Sequence, residues 1–280
     1  MTMAALPTAQ LIIYCILALP VLYCLYSHGK PGLLGWLYLF VFCTLRIIGS
    51  GLELRQGDLD SSSSSALLVN NIGLSPLLLA AMGILHEARA ARNLISNAKL
   101  EWAFVLIYHV AVSASLAIIA CAISALTNKD SKMSATTSLD LVKVGFVIML
   151  VCWLALVAWT SISSRTPRDC DLISRRYVDG IKLTYAVVIS WPLIMLRGIY
   201  GLISVTKPSS RFSDSLAANV CLSVVPQLLL AVIFVLVGIW TRHIDEKQDE
   251  RLKEPQRYAR DDEMVTVWQP ESGDAGIMAK

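Results

Sequence analysis

Two arginines and one histidine lie inside stretches of the chain that are otherwise apolar. Arg46 stands in Cys-Thr-Leu-Arg-Ile-Ile-Gly, Arg197 in Met-Leu-Arg-Gly-Ile-Tyr, and His109 in Leu-Ile-Tyr-His-Val-Ala. An ionisable group at membrane depth is costly unless it is paired or hydrated, so each position is a candidate for function. Glu53 follows Arg46 by seven residues, which puts it on the same helical face, about 10 Å further along. Glu53 and Arg46 are therefore the candidate catalytic pair.

Further polar and aromatic residues are predicted to line a pocket around this pair: Asn70, Asn71, Trp191, Arg197, Tyr200 and Asn219, with His109 nearer the opposite side. Each also has a structural interpretation. The arginines could bond to helix carbonyls or pair with Glu53, and Glu53 could mark the membrane interface. His109 and the asparagines could be hydrogen-bonding residues between helices.

Seven apolar segments are long enough to position these residues inside a bilayer. The chain is only 16% charged, against roughly 25% in soluble domains, and a helical span needs about 20 apolar residues. The fold class is therefore all-α, a seven-helix transmembrane bundle over 1–241, followed by a polar, partly disordered tail over 242–280. The predicted spans are 8–27, 32–53, 66–86, 102–126, 140–162, 181–205 and 216–241.

The distribution of cations predicts the orientation. Of the 24 Lys and Arg, 16 fall in the tail and in the loops after spans one, three and five, and five fall on the other side. By the positive-inside rule the C-terminus is cytosolic and the N-terminus is lumenal or outside. Four tryptophans support this orientation, because they lie near predicted cytosolic ends of spans, where indole rings favour the interface: Trp36, Trp102, Trp159 and Trp240. The endoplasmic reticulum or another endomembrane is the expected location.

Several protein classes do not fit the sequence. The last span contains no lysine for a retinal Schiff base, and the motifs of G-protein-coupled receptors are absent. The four histidines are scattered along the chain, so neither a metal site nor a cofactor is predicted. A net charge of +3 is too small and too dispersed for a nucleic-acid surface.

Three short motifs carry a resemblance: Arg46-Ile-Ile-Gly-Ser-Gly-Leu-Glu-Leu, Asn71-Ile-Gly-Leu-Ser-Pro-Leu-Leu-Leu-Ala and Leu196-Arg-Gly-Ile-Tyr-Gly-Leu. Together they resemble an uncharacterised family of seven-span membrane proteins from filamentous fungi, over most of residues 8–241. At the level of fold the chain is also similar to small fungal membrane-bound terpene cyclases, which protonate an epoxide or an alkene with a carboxyl group inside the membrane.

This resemblance implies a membrane-embedded enzyme that cyclises a hydrophobic isoprenoid or meroterpenoid intermediate of fungal secondary metabolism. Glu53 would be the acid, oriented by Arg46 or an asparagine, and Tyr200 and Trp191 would stabilise a carbocation through their ring faces. The cation of Arg46 opposes this role, because it favours an ionised Glu53. The alternative is a seven-span sensor, receptor or transport accessory protein without enzymatic activity. Its cytosolic loop 163–180 and tail would bind a partner or anionic membrane lipid.

Overall fold

All secondary structure in the described part of the chain is helical. The computed structural model describes residues 5–56, 73–95, 97–127, 134–165, 175–206 and 216–242. The helices are α1 (Ala5–Ser27), α2 (Gly29–Gln56), α3 (Leu74–Ala91), α4 (Ala98–Thr127), α5 (Ala135–Arg165), α6 (Arg175–Thr206), α7 (Leu216–Asn219) and α8 (Val225–Trp240), with a π-helical turn at Val220–Val224 between the last two.

Six of these helical segments are long and apolar enough to cross a membrane. They are Ala5–Ser27, Gly29–Arg55, Ala98–Leu126, Ala135–Arg165, Arg176–Ser204 and Ala217–Trp240. Their outward faces leave large apolar side chains exposed, such as Ile16, Leu19 and Ile107. A water-soluble surface rarely presents apolar area on this scale, whereas lipid tails match it. The chain is therefore a multi-pass membrane protein.

Helix α3 is the central helix, and it differs from the other six segments. All but one of its 18 residues are buried, because α2, α4, α5 and α6 pack around it. Its closest approach is to α2, where Gly83 faces Gly35. A Cβ atom on Gly83 would lie 2.3 Å from the backbone nitrogen of Gly35. Small residues of this kind let helix backbones come together inside membranes.

The predicted spans can be compared with these helices. Most observed helices extend a few residues beyond the predicted ends, and the difference matters for α3, which continues to Ala91 rather than ending at residue 86. The predicted start of that span, together with most of the polar tail, lies outside the described residues. Pro20 and Pro192 stand inside α1 and α6, whereas Pro226 is the second residue of α8, just after the π-helical turn.

The bundle has two ends, which are named here after a buried residue in each. The His28 end contains the turn between α1 and α2, the C-terminal ends of α3, α5 and α8, and the start of α4. Gly29 makes that turn with φ of 57°, a left-handed conformation that suits glycine. The Arg46 end contains the C-terminal halves of α2 and α6, the start of α3, and the π-helical turn.

Candidate functional site

Arg46 is buried at the Arg46 end, where α2 meets α8. Only 6% of its surface is exposed, and its Nη2 donates a hydrogen bond to Gln227 Oε1 on α8. The guanidinium carbon lies 5.7 Å from the ring centroid of Phe42. Gly73 lets the start of α3 come close, since a Cβ there would be 2.9 Å from Nη2. Three helices thus enclose this one cation.

Arg197 brings a second positive charge to the same region from α6. It is 2% exposed and lies within electrostatic range of Arg46, Tyr14 and Tyr200. Tyr14, from α1, is 1% exposed and packs edge-on against Phe42 at 5.6 Å. Arg46, Arg197, Tyr14 and Gln227 will be called the arginine centre.

The structure brings some of the predicted site residues to this centre and leaves others apart. Glu53 is half-buried and within electrostatic range of Arg46, but it makes no hydrogen bond to the described residues. Tyr200 is buried beside Arg197. Asn219 is at the same end of the bundle, directly before the π-helical turn. Asn70 and Asn71 lie outside the described residues.

His109 and Trp191 have separate surroundings. His109 Nδ1 lies 2.6 Å from the carbonyl of Val105, one turn earlier on α4, so this nitrogen carries the proton. Its ring packs against Tyr38 at 5.2 Å. Trp191 contacts α5 through its backbone, whose carbonyl accepts a hydrogen bond from Trp153 Nε1 at 3.1 Å.

A second buried polar cluster, which the sequence did not predict, lies at the His28 end. His28 Nδ1 is 2.5 Å from Glu87 Oε1, and His28 Nε2 is 2.9 Å from the carbonyl oxygen of Gly238. Trp36 Nε1 donates to Glu87 Oε2 at 3.0 Å. The three side chains are at most 1% exposed. The cluster therefore connects the turn after α1 with α2, α3 and α8.

The positions of the protons in this cluster follow from its hydrogen-bond acceptors. A backbone carbonyl can only accept, so Nε2 of His28 must be protonated. The other ring nitrogen faces a carboxylate oxygen, and one further proton lies between them. An imidazolium with a carboxylate and an imidazole with a carboxylic acid are two forms of the same neutral pair. The bundle thus holds Glu87 without an uncompensated buried charge.

Arg89 is at the centre of a second group of polar contacts at the His28 end. Its guanidinium binds both carboxylate oxygens of Glu101, with Nε to Oε1 at 2.7 Å and Nη2 to Oε2 at 3.0 Å. Its Nη1 donates to Ser163 Oγ at 2.6 Å, and the group lies 4.7 Å from the Trp159 ring centroid. Arg92 donates to the carbonyl of Ser163 at 2.9 Å. These bonds fasten α3 to α4 and α5.

One signal in the sequence could have revealed this end. The segment Leu85-His-Glu-Ala-Arg-Ala-Ala91 keeps strong helix formers after the predicted end of the span. Its charged residues resemble an interfacial loop, but the helix continues and all of them are buried. Trp36, which was predicted to lie at the membrane interface, is fully buried among the helices, whereas Trp102 and Trp240 are exposed.

An apolar groove of about 360 Å³ runs between α5 and α6 over a floor of α3. Leu74 and Leu78 form the floor, and Trp153 closes one side. The remaining lining residues are Lys143, Phe146, Val147, Met149, Leu150, Ile194, Met195, Gly198, Ile199 and Leu202. Because Val147, Leu150, Met195 and Ile199 are 41–58% exposed, the groove opens on the outer surface of the bundle.

The groove and the arginine centre are separate features. None of the predicted site residues within the described part of the chain lines the groove, although Gly198 follows Arg197 directly. Lys143 is the cationic lining residue, and its Nζ forms an ion pair with Asp140 at 2.8 Å. Within the described ranges, no group of three or more His, Cys, Asp or Glu could hold a metal ion.

Comparison with known proteins assigns a family but no activity. No curated protein and no solved structure matches the chain. The model of one protein family, described as "Domain of unknown function (DUF7702)", matches residues 3–244. This match covers all the helices described above, and the chain belongs to the DUF7702 family.

Proposed function

We propose that this protein takes up a hydrophobic small molecule of the isoprenoid or meroterpenoid class from the membrane and cyclises it in an acid-initiated reaction. The observation that supports this most directly is the groove between α5 and α6. Its volume of about 360 Å³ lies at the lower end of the range for small-molecule sites, and its lining is apolar with few polar groups, as is usual for such sites. An opening on the lipid-facing surface would admit a substrate dissolved in the bilayer.

The cyclisation requires an acid and a shielded cavity. Protonation of an epoxide oxygen breaks a carbon–oxygen bond, the electrons of a neighbouring alkene form the new carbon–carbon bond, and loss of a proton from the final cation gives the product. Trp153 and Phe146 present aromatic side chains to the groove and could stabilise the positive charge. Glu53 is the candidate acid. Because Glu53 lies outside the groove lining, the reacting end of the substrate would have to extend beyond the groove.

Binding can be tested apart from catalysis. Gly198 leaves space in the groove, and a Cβ there would lie 3.6 Å from Leu74 Cδ2. We expect Gly198→Leu to fill the groove and reduce labelling by a photoreactive farnesyl-type probe in membranes. Gly51→Leu is the matched control, because a Cβ at Gly51 meets nothing within 4 Å. Equal labelling of the two variants would refute the groove as the binding site.

The reaction has its own test. In a host that supplies the precursor, Glu53→Gln protein should accumulate in the membrane and still bind the probe while the cyclised product disappears. Arg46→Ala is expected to reduce the product too, because Glu53 would lose the residue that orients it. An unchanged metabolite profile in both variants would reject the enzyme and leave the sensor or transport accessory alternative.

The proposal includes seven spans, a lumenal or outside N-terminus and a cytosolic C-terminus, in the endoplasmic reticulum or another endomembrane. Support comes from α3, which runs from Gly73 beside Arg46 to Arg89 beside Glu101, and thus between opposite ends of the bundle. Its 18 residues extend about 27 Å, close to the roughly 30 Å of a hydrocarbon core. Glycosylation acceptor sites inserted at the N-terminus and near residue 60 should be modified, and one placed after residue 242 should not.

A further inference from the structure

The apolar groove between α5 and α6 has a charged residue at one end. Its lining on α5 extends from Lys143 to Trp153, which are ten residues or about 15 Å apart along the helix. Ser163, near the end of α5, bonds to Arg89 at the His28 end. Lys143 therefore lies toward the Arg46 end of the bundle, and Trp153 lies nearer its middle. The groove is an elongated site that runs along the helices.

The rest of the groove offers a ligand little polarity. Trp153 carries a ring N–H group, but this group already donates to the carbonyl of Trp191 at 3.1 Å. Apart from Lys143, the other described lining residues are glycine, aliphatic, methionine and phenylalanine residues. A ligand that placed a polar group against them would bury it without a partner, which is unfavourable. The lining thus fits a molecule that is apolar along its length and polar at one end.

Lys143 can bind an anion at that end. Its Nζ lies 2.8 Å from Asp140 Oδ1, one turn earlier on the same helix, and both side chains are exposed. An exposed pair of this kind is weak, and an ammonium group has three N–H donors, so an anion can bind without displacing Asp140. The carboxylate of Asp140 limits the charge of that anion, because it repels a doubly charged phosphate more than a singly charged carboxylate.

We infer that the groove binds an isoprenoid carboxylate, with the carboxylate at Lys143 and the hydrocarbon chain extending toward Trp153. Lys143 is exposed, so the carboxylate stays hydrated while the chain lies in the apolar groove. This inference rests on the proposed function, in that the groove must bind the isoprenoid, and it narrows the ligand to an acid. It does not depend on the cyclisation or on Glu53.

The experiment compares farnesoic acid with its methyl ester, which has the same chain without the charge. Each competes with the photoreactive farnesyl-type probe for the purified full-length chain in detergent, at about pH 8, where a carboxyl group is ionised. Methionine in Lys143→Met keeps an unbranched apolar side chain and removes the ammonium group. We expect the wild type to favour the acid over the ester about fivefold more than Lys143→Met does. Comparing the two proteins cancels the different partition of acid and ester into detergent.

Lys182→Met is the matched control. Lys182 forms the same kind of ion pair, with Asp179 at 2.8 Å and three residues apart, but it does not line the groove. Its loss should leave the preference for the acid at the wild-type value. Equal preference in the wild type and in Lys143→Met would overturn the inference, because Lys143 would then only extend its ammonium group to the membrane surface. A larger effect of Lys143→Met on farnesyl phosphate than on farnesoic acid would overturn the assignment to a carboxylate.

Failure of this inference can be told apart from failure of the proposed function. If acid and ester both displace the probe, and Gly198→Leu reduces labelling while Lys143→Met leaves the preference unchanged, the groove stands as the binding site and the carboxylate does not. If neither competitor displaces the probe, the groove fails as the binding site and this inference fails with it. The cyclised product is not measured here, so its absence leaves the inference intact.

Discussion

The two ends of the bundle bury charge in different ways. At the His28 end, Glu87 and Glu101 each accept at least two hydrogen bonds or ionic contacts from His28, Trp36, Arg89 and His86. At the Arg46 end, Arg46 donates to Gln227 Oε1, but the hydroxyl of Tyr14, the amide nitrogen of Gln227 and Oδ1 of Asn219 have no hydrogen-bond partner among the described residues. Helix α3 connects the two ends, and all but one of its residues are buried.

The two ends differ in how completely their buried polar groups are hydrogen-bonded. Glu87 and Glu101 each accept hydrogen bonds from other helices, so they can fix those helices relative to one another without a ligand. Buried polar groups without a hydrogen-bond partner, such as those of Tyr14 and Gln227, carry a cost instead. The hydrogen bonds of the His28 end are therefore expected to contribute more to stability than the polar groups of Tyr14 and Gln227 at the Arg46 end.

The largest expected effect comes from removing the acceptor that holds the His28 end together. Glu87→Ala leaves His28 and Trp36 buried without their carboxylate and should lower the free energy of unfolding by about 3–5 kcal/mol. Reversible unfolding in mixed micelles, followed by tryptophan fluorescence, measures this loss.

The control for this change is Asp140→Ala. Asp140 and Lys143 form an ion pair at 2.8 Å, but their side chains are 70% and 57% exposed. Exposed pairs contribute about 0–1 kcal/mol. Equal losses in Glu87→Ala and Asp140→Ala would mean that the His28 end does not stabilise the bundle.

The sequence predicted the buried charges of the Arg46 end but not those of the His28 end, for a physical reason. Arg46 and Arg197 interrupt apolar runs, so their cost at membrane depth identifies them without a structure. Glu87 and Arg89 stand where a span was expected to meet the interface, and charge there is ordinary. Their burial depends on partners far away in the chain: Glu87 is 59 residues from His28, and Arg89 is 74 residues from Ser163. No local pattern encodes such distances.

The sequence also did not predict the direction in which the side chain of Trp36 points. Trp36 points inward because Gly238 makes room for its ring, and a Cβ on Gly238 would lie 2.1 Å from the Trp36 ring. The groove could not be predicted either, since it depends on how α5 and α6 separate over α3. By contrast, the helices themselves follow from the length of the apolar segments.

A smaller effect is expected from Ser163→Ala. The hydroxyl of Ser163 accepts from Arg89 at 2.6 Å and donates to the carbonyl of Trp159 at 2.7 Å. Loss of an acceptor for a buried cation should cost about 1.5–3 kcal/mol in the same unfolding measurement. Ser161→Ala is the matched control, since Ser161 donates only to Val157 on its own helix. If both alanine variants lose the same stability, the contact with Arg89 contributes nothing.

The smallest expected effect is that of Tyr14→Phe at the Arg46 end. Like Ser163→Ala it deletes one buried hydroxyl, but the hydroxyl of Tyr14 has no hydrogen-bond partner among the described residues. The phenyl ring keeps its contact with Phe42, and removing an unsatisfied donor carries no loss. Delipidated, ligand-free protein should therefore unfold with the wild-type free energy or with a gain of up to about 1 kcal/mol. A loss as large as that of Ser163→Ala would show that the Arg46 end is as well matched as the His28 end, and that buried charge serves the same structural purpose at both.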